Sequence, residues 1–214
     1  MLVVGANDLQ VSRVLCIGAH SDDIEIGCGG TLLTLLQRGP LSVTWLVLSG
    51  SGNRAQEARD SATRLVGDSS LDFRMDAFRE SYFPYQGADI KERFDALGKE
   101  VEPDLVFAPY LQDAHQDHRL VAELVANTFR DHLILEYEIP KYDGDLGRPA
   151  IYAHLSADVA ARKVGHLMDA FPSQRPKPWY TEETFRAVLR LRGIECRAPD
   201  GYAEAFHCRK LVLV

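Results

Sequence analysis

Short apolar runs alternate with stretches of helical periodicity along this chain, and that alternation restricts the fold more than any other feature. Residues 11–18, 43–48, 105–108 and 133–139 are short and mostly apolar and read as strands, the first two as buried parallel strands. Residues 71–75 read as a weaker strand of the same kind. Between them lie helical patterns at 29–37, 54–66, 90–100 and 120–129; Gly39-Pro40 stops the first and Gly67 the second. Later come a strand at 150–155, a helix at 157–171, a proline-punctuated loop at 171–180, a helix at 182–192 and a final strand at 202–213. Strand–helix alternation predicts an α/β fold, a mostly parallel sheet with helices on both faces. With no repeat and no linker, residues 1–214 read as a single domain.

Composition narrows the function classes. A formal charge of −7, with arginines scattered rather than in a stripe, argues against nucleic acid as a partner. No apolar run approaches a membrane span. The first ten residues lack the blocks of a signal peptide. Cys16, Cys28, Cys196 and Cys208 form no C-x-x-C pair, so neither a zinc ribbon nor a thioredoxin site is expected. The expectation is a cytoplasmic protein acting on a small polar molecule.

Chemistry concentrates where two strands end. Gly18-Ala19-His20-Ser21-Asp22-Asp23 follows the first strand, and His115-Gln116-Asp117-His118 follows the fourth. In the commonest doubly wound order these strands are neighbours, and ligands bind beyond their carboxyl ends where the chain reverses direction. Two clusters far apart in sequence are thereby expected at one crevice. His20 and Asp23, three apart in a loop entering a helix, can turn to one point, and His118 can add a third ligand to an open zinc-type site. Such a metal brings bound water to a pKa of about 7 and polarises a carbonyl. Asp22 is left as general base, His115 as general acid or, as an imidazolium, oxyanion stabiliser, and Asp117 to orient an imidazole.

Simpler readings compete. Asp22 or Asp23 is also a good helix cap. Gly27, Gly29 and Gly30 suggest phosphate binding at a helix N-terminus, but the spacing is not G-x-G-x-x-G and carboxylates surround it; tight packing is the better reading. Arg54 and Glu57, one helical turn apart, form a surface ion pair on the plainest reading. His132, His154, His166 and His207 read as structural, and Trp179 with Tyr180 as a hydrophobic anchor.

The run Ala19-His20-Ser21-Asp22-Asp23-Ile24-Glu25 followed by Gly29-Gly30-Thr31-Leu32 resembles the signature of the LmbE-like (PIG-L) zinc-dependent N-deacetylases. His115-Gln116-Asp117-His118 resembles that family's second motif, Arg54-Ala55-Gln56-Glu57 its Arg-x-x-Glu stretch, and Phe171-Pro172-Ser173-Gln174 a less specific Ser-Gln segment. The resemblance implies a Rossmann-like fold and removal of an acetyl group from an N-acetylated amino sugar, glycoside or sugar conjugate. It implies that His20, Asp23 and His118 hold Zn2+, or another divalent metal such as Fe2+. Asp22 is then the base, His115 stabilises the tetrahedral intermediate, Asp117 tunes His115, and Arg54 meets substrate hydroxyls. Ser21 stands where the family usually has Pro, and Ala114 where some members have Tyr. The rival readings are an amidase of a thiol–sugar conjugate, a non-hydrolytic nucleotide-binding module, and an inactive metal-binding interaction protein.

Overall fold

The structure is a computed structural model that describes residues 10–212. The segment read as lacking a signal peptide falls outside the described residues except for Gln10, as does Leu213 at the end of the expected last strand. The elements in chain order are β1 (Arg13–Gly18), α1 (Asp23–Leu36), β2 (Ser42–Val47), α2 (Gly52–Val66), β3 (Ser70–Met75), α3 (Gly87–Glu100), β4 (Leu105–Pro109), α4 (Gln116–Thr128), β5 (Leu133–Tyr137), β6 (Ile151–Leu155), α5 (Ala157–Ala170), α6 (Glu182–Cys196) and β7 (Tyr202–His207).

One seven-stranded sheet runs in the order β3-β2-β1-β4-β5-β7-β6. The first five pair in parallel; β7 lies antiparallel between β5 and β6. Strand alternation divides the core. Val14 and Cys16 of β1 face a cluster built with α1, α2, α5 and α6, while Leu15 and Ile17 face one built with α3 and α4. Burial on both faces is why β1 and β4 read as unbroken apolar runs.

Two departures from the expected boundaries place the chemistry. Helix α1 begins at Asp23 rather than Gly29, and α4 at Gln116 rather than Leu120. Their first turns carry polar residues turned to the crevice, so apolar periodicity starts late. The last strand ends at His207, and its insertion between β5 and β6 leaves no trace in local pattern.

The glycines of α1 serve packing. A Cβ on Gly27 would run into the Tyr137 ring, and one on Gly30 would meet Glu204 Oε1 at 2.9 Å. That room lets Glu204 of β7 accept the Gly30 and Thr31 N–H groups at 2.7 and 2.6 Å, while Lys163 of α5 donates to Glu204 and to the Ile26 carbonyl. A buried ion pair thereby ties β7 and α5 to the middle of the helix that carries Asp23. We predict that Gly27→Ala destabilises the fold by about 1–3 kcal/mol through overpacking. Thermal or urea unfolding followed by circular dichroism checks it, and an unchanged Tm would show that Tyr137 can move aside.

Candidate metal centre and active site

Strands β1 and β4 are neighbours at the point where the chain reverses direction, and the loops leaving them meet there. Gly18 and Ala19 extend the ladder by accepting the N–H groups of Leu48 and Ser49, which fixes where His20 leaves the sheet. The helix N-termini of α1 and α4 both open at this crevice, an environment that favours carboxylates.

His20, Asp23 and His118 are buried and converge. His20 Nδ1 lies 3.1 Å from His118 Nε2, and Asp23 Oδ2 lies 3.3 Å from His118 Nε2 and 3.5 Å from His20 Nδ1. A tetrahedral ion with bonds of about 2.0–2.2 Å holds its ligands about 3.3–3.6 Å apart. The triangle matches that requirement within a few tenths of an ångström. His20, His115 and His118 also present ring nitrogens within 4.8 Å of one another. The His20–Asp23–His118 set is the tighter, and it leaves His115 at the edge, its ring centroid 4.8 Å from that of His20 and 4.9 Å from that of His118.

The outward nitrogens explain why the inner ones face each other. Asp117 Oδ2 lies 3.2 Å from His20 Nε2, and Asp113 Oδ2 lies 2.9 Å from His118 Nδ1. Each carboxylate favours a proton on the nitrogen it meets, turning a lone pair inward. Two bare nitrogens and a carboxylate oxygen this close repel unless a positive charge sits among them. That is the physical origin of the shifts. Burial opposes charge on His20, yet Asp23 and Asp117 raise it to about 10. Burial likewise opposes charge on His118, yet Asp23 and Asp113 raise it to about 9. Burial works against ionisation of Asp23 too, but the imidazoles hold it well below the usual carboxylate range.

A metal must therefore displace a proton. The two rings hold a proton between their inner nitrogens at neutral pH without it and none there with it, so affinity should rise with pH and uptake near pH 7 should release a proton. Titration calorimetry of zinc uptake in buffers of different ionisation enthalpy measures this. Proton-neutral binding at pH 7 would refute it.

Two expected contacts are otherwise. The Asp117 carboxylate meets His20, not His115, and also accepts the N–H groups of Ser81 and Phe83 at 2.6 and 3.1 Å. Its backbone N–H instead donates to His115 Nδ1 at 3.2 Å, with His115 at the N-cap of α4. That bond needs a bare Nδ1. Burial, then His20 and His118, also push the His115 pKa down. Both favour the neutral imidazole with its proton on Nε2, where the sequence reading has an imidazolium. Arg54 does not pair with Glu57. Its guanidinium bonds Glu80 at 2.5 Å and lies 3.5 Å from Asp22 Oδ1, while Glu57 accepts the N–H and hydroxyl of Ser173.

Asp22 stands apart from the triangle. It occupies the N-cap position of α1, but its side chain caps nothing. Burial and the adjacent Asp23 raise its pKa, and Arg54, Lys177 and His20 oppose them. Ser21, in place of Pro, turns its hydroxyl toward the Ser49 carbonyl at 3.5 Å. Ala114 donates its N–H to Asp145 at 2.7 Å, and Tyr110 stacks on His207. Sequence reasoning missed Asp113 and Lys141. Asp113 bonds His118, accepts the His115 N–H at 2.7 Å, and takes a 3.0 Å hydrogen bond from Lys141. The signal was available in principle, because a ligating imidazole needs a partner for its other nitrogen.

The profile of a family described as GlcNAc-PI de-N-acetylase (PIG-L) matches residues 15–129, a span that holds both histidine motifs. The "Uncharacterized deacetylase YaiS" of Escherichia coli K12 is 30% identical over 140 residues, 59% of this chain and 74% of that protein. The N,N'-diacetylchitobiose deacetylase from Pyrococcus horikoshii superposes with a TM-score of 0.70 at 22% identity, covering 94% of this chain and 84% of that one. GalB, the 4-carboxy-2-hydroxymuconate hydratase of Pseudomonas putida KT2440, superposes with a TM-score of 0.71 at 17% identity, covering 95% and 98%. Proteins named for two different reactions share the architecture, so structural likeness establishes the fold and the reaction is argued from the site.

Proposed function

The chain belongs to the GlcNAc-PI de-N-acetylase (PIG-L) family, and on that premise we infer that it is a metal-dependent N-deacetylase of an N-acetylated amino sugar or sugar conjugate. The observation that carries this reading is the 3.1–3.5 Å triangle of His20 Nδ1, His118 Nε2 and Asp23 Oδ2 with a separate buried carboxylate, Asp22, beside it. His20, Asp23 and His118 would hold the metal, Zn2+ by the chemistry of the donor set, with Fe2+ the alternative. When bound, it supplies an acidified water and a Lewis acid for the amide carbonyl.

The chain's own groups do the rest. Asp22 takes the proton as water oxygen bonds to the acetyl carbon. The same proton suits the sugar nitrogen when the C–N bond breaks and acetate leaves. His115 donates from Nε2 to the carbonyl oxygen as negative charge develops there, a role the neutral ring fills because Nδ1 is already an acceptor. Asp117 and Asp113 orient the two imidazole ligands. Arg54, held by Glu80 beside Asp22, would meet sugar hydroxyls.

The carboxylates of Asp22, Asp23 and Asp117 weigh against a nucleotide phosphate in this crevice. Among the described residues no helix is long and apolar enough to cross a membrane, and all four cysteines are free. A screen of N-acetyl amino-sugar conjugates for released acetate, with and without chelator, tests the reading. Release that stops on chelation and returns with zinc is expected. Release indifferent to chelation, or copurifying nucleotide without metal, would overturn it.

A further inference from the structure

Helix α1 opens directly after Asp22 and carries Asp23 in its first turn, so that turn sets where both carboxylates stand. The next four residues are Gly27-Cys28-Gly29-Gly30. Glycine is among the poorest helix formers, and three of them make a weak link between the first turn and the body of the helix.

A buried ion pair spans this link. The Gly30 N–H and the Ile26 carbonyl are the donor and acceptor of a single i→i−4 rung of the helix. Glu204 Oε1 of β7 accepts the Gly30 N–H at 2.7 Å, and Lys163 of α5 donates to the Ile26 carbonyl at 2.5 Å. Lys163 also donates to the same Glu204 Oε1, which closes a circuit from carbonyl through ammonium and carboxylate to amide. Glu204 Oε2 accepts the Thr31 N–H at 2.6 Å and the Thr31 hydroxyl at 2.5 Å. Only the first four N–H groups of a helix lack an internal acceptor. Gly30 and Thr31 lie beyond them, so Glu204 is not serving as a terminal cap. Nor is stability a sufficient reason for the pair. Both side chains are buried, and apolar residues of similar volume often hold a core as well as two desolvated ions do.

The first turn has few other ties. The Asp22 side chain caps nothing, and the Asp23 N–H meets the His20 carbonyl only at 3.5 Å. Asp23 Oδ2 nevertheless stands 3.3 Å from His118 Nε2 and 3.5 Å from His20 Nδ1, a placement that a metal site needs held within about 0.5 Å. We propose that Lys163 and Glu204 are positioning residues: they fix the first turn of α1 against α5 and β7, and with it the metal-facing Asp23 and the base Asp22. The proposal rests on the metal-dependent deacetylase reading and names what aims its two carboxylates.

The test removes both ions at once. Lys163→Met/Glu204→Leu leaves no unpaired charge in the core, so the fold should survive. Its Gly30 N–H has only the Ile26 carbonyl to bond, and the rung closes on itself. Zinc alone is the probe. Titration calorimetry should give an affinity about 10–100-fold below wild type, the usual result of losing an outer support of a ligand, and the visible absorption of the Co2+-loaded protein should change. Gly30→Ala keeps both charges but puts a Cβ 2.9 Å from Glu204 Oε1 and 2.6 Å from Leu155 Cδ1. It should shift affinity and spectrum in the same direction, and it decides the matter if the double variant does not fold. Leu97→Ala opens the core on the opposite face of the sheet, under α3, and should lower Tm while leaving both readouts unchanged. Wild-type affinity and spectrum in either folded α1 variant would overturn the proposal. So would an equal loss in Leu97→Ala, which would make the effect one of general stability, and so would a wild type that takes up no zinc. Neither readout involves substrate. A fall in affinity where wild type hydrolyses no acetylated sugar leaves the pair standing and refutes the deacetylase reading; hydrolysis with affinity and spectrum unmoved does the reverse.

Discussion

His118→Ala should purify folded, without stoichiometric metal, and without hydrolysis. The side chain lies in the first turn of α4, buried, with Nε2 3.1 Å from His20 and 3.3 Å from Asp23. Its removal leaves a two-ligand remnant that cannot hold a metal in competition with buffer. It also strands Asp113, which keeps Lys141 as its charged partner and so stays satisfied enough for the fold to survive. The loss of metal affinity should exceed the roughly 10–100-fold that follows removal of an outer partner. Asp113→Ala provides that smaller step, because it removes the group that orients His118 and leaves the ligand in place. His115→Ala should keep its metal, since the tighter triangle does not include that ring. Elemental analysis of the three variants beside wild type, each with a melting curve, checks the order. Full occupancy in His118→Ala would remove it from the ligand set, and an empty His115→Ala would favour the three-imidazole set instead.

How much of this was legible in sequence follows from what local pattern encodes. Strand alternation placed β1 and β4 side by side, and with them His20 and His118, because continuous apolar runs identify buried parallel strands and the winding rule orders them. The same pattern put the starts of α1 and α4 late, since Asp23, Gln116, Asp117 and His118 serve the crevice and break apolar periodicity where the helices begin. Partners that depend on side-chain direction were not legible. Asp117 sits two residues from His115, yet its carboxylate crosses to His20, ninety-seven positions away, and only its backbone serves His115. Arg54 and Glu57 have the spacing of a helical ion pair, but loops from β3 and from the segment after α5 compete for each. The antiparallel insertion of β7 depends on a long return connection that no short window records.

Asp22→Asn should keep the metal and the fold and lower kcat by roughly 10²–10⁴, the usual contribution of a positioned general base. Asp22 and Asp23 are adjacent in sequence and separate in geometry. Asp23 Oδ2 accepts the His20 N–H at 2.8 Å and faces both imidazoles, whereas Asp22 Oδ1 lies 3.5 Å from Arg54. Asparagine keeps the shape of Asp22 and removes its capacity to take a proton. Burial and Asp23 hold the pKa of Asp22 above that of an ordinary carboxylate, against the pull of Arg54, Lys177 and His20. Wild-type kcat/KM should therefore fall as pH drops through the ionisation of this group, and the residual activity of Asp22→Asn should not follow that limb. Asp23→Asn should behave differently, with metal content falling along with activity. Added zinc should restore part of the activity to Asp23→Asn and none to Asp22→Asn, because only the first defect lies in binding. Metal lost from Asp22→Asn and retained in Asp23→Asn would exchange the two roles.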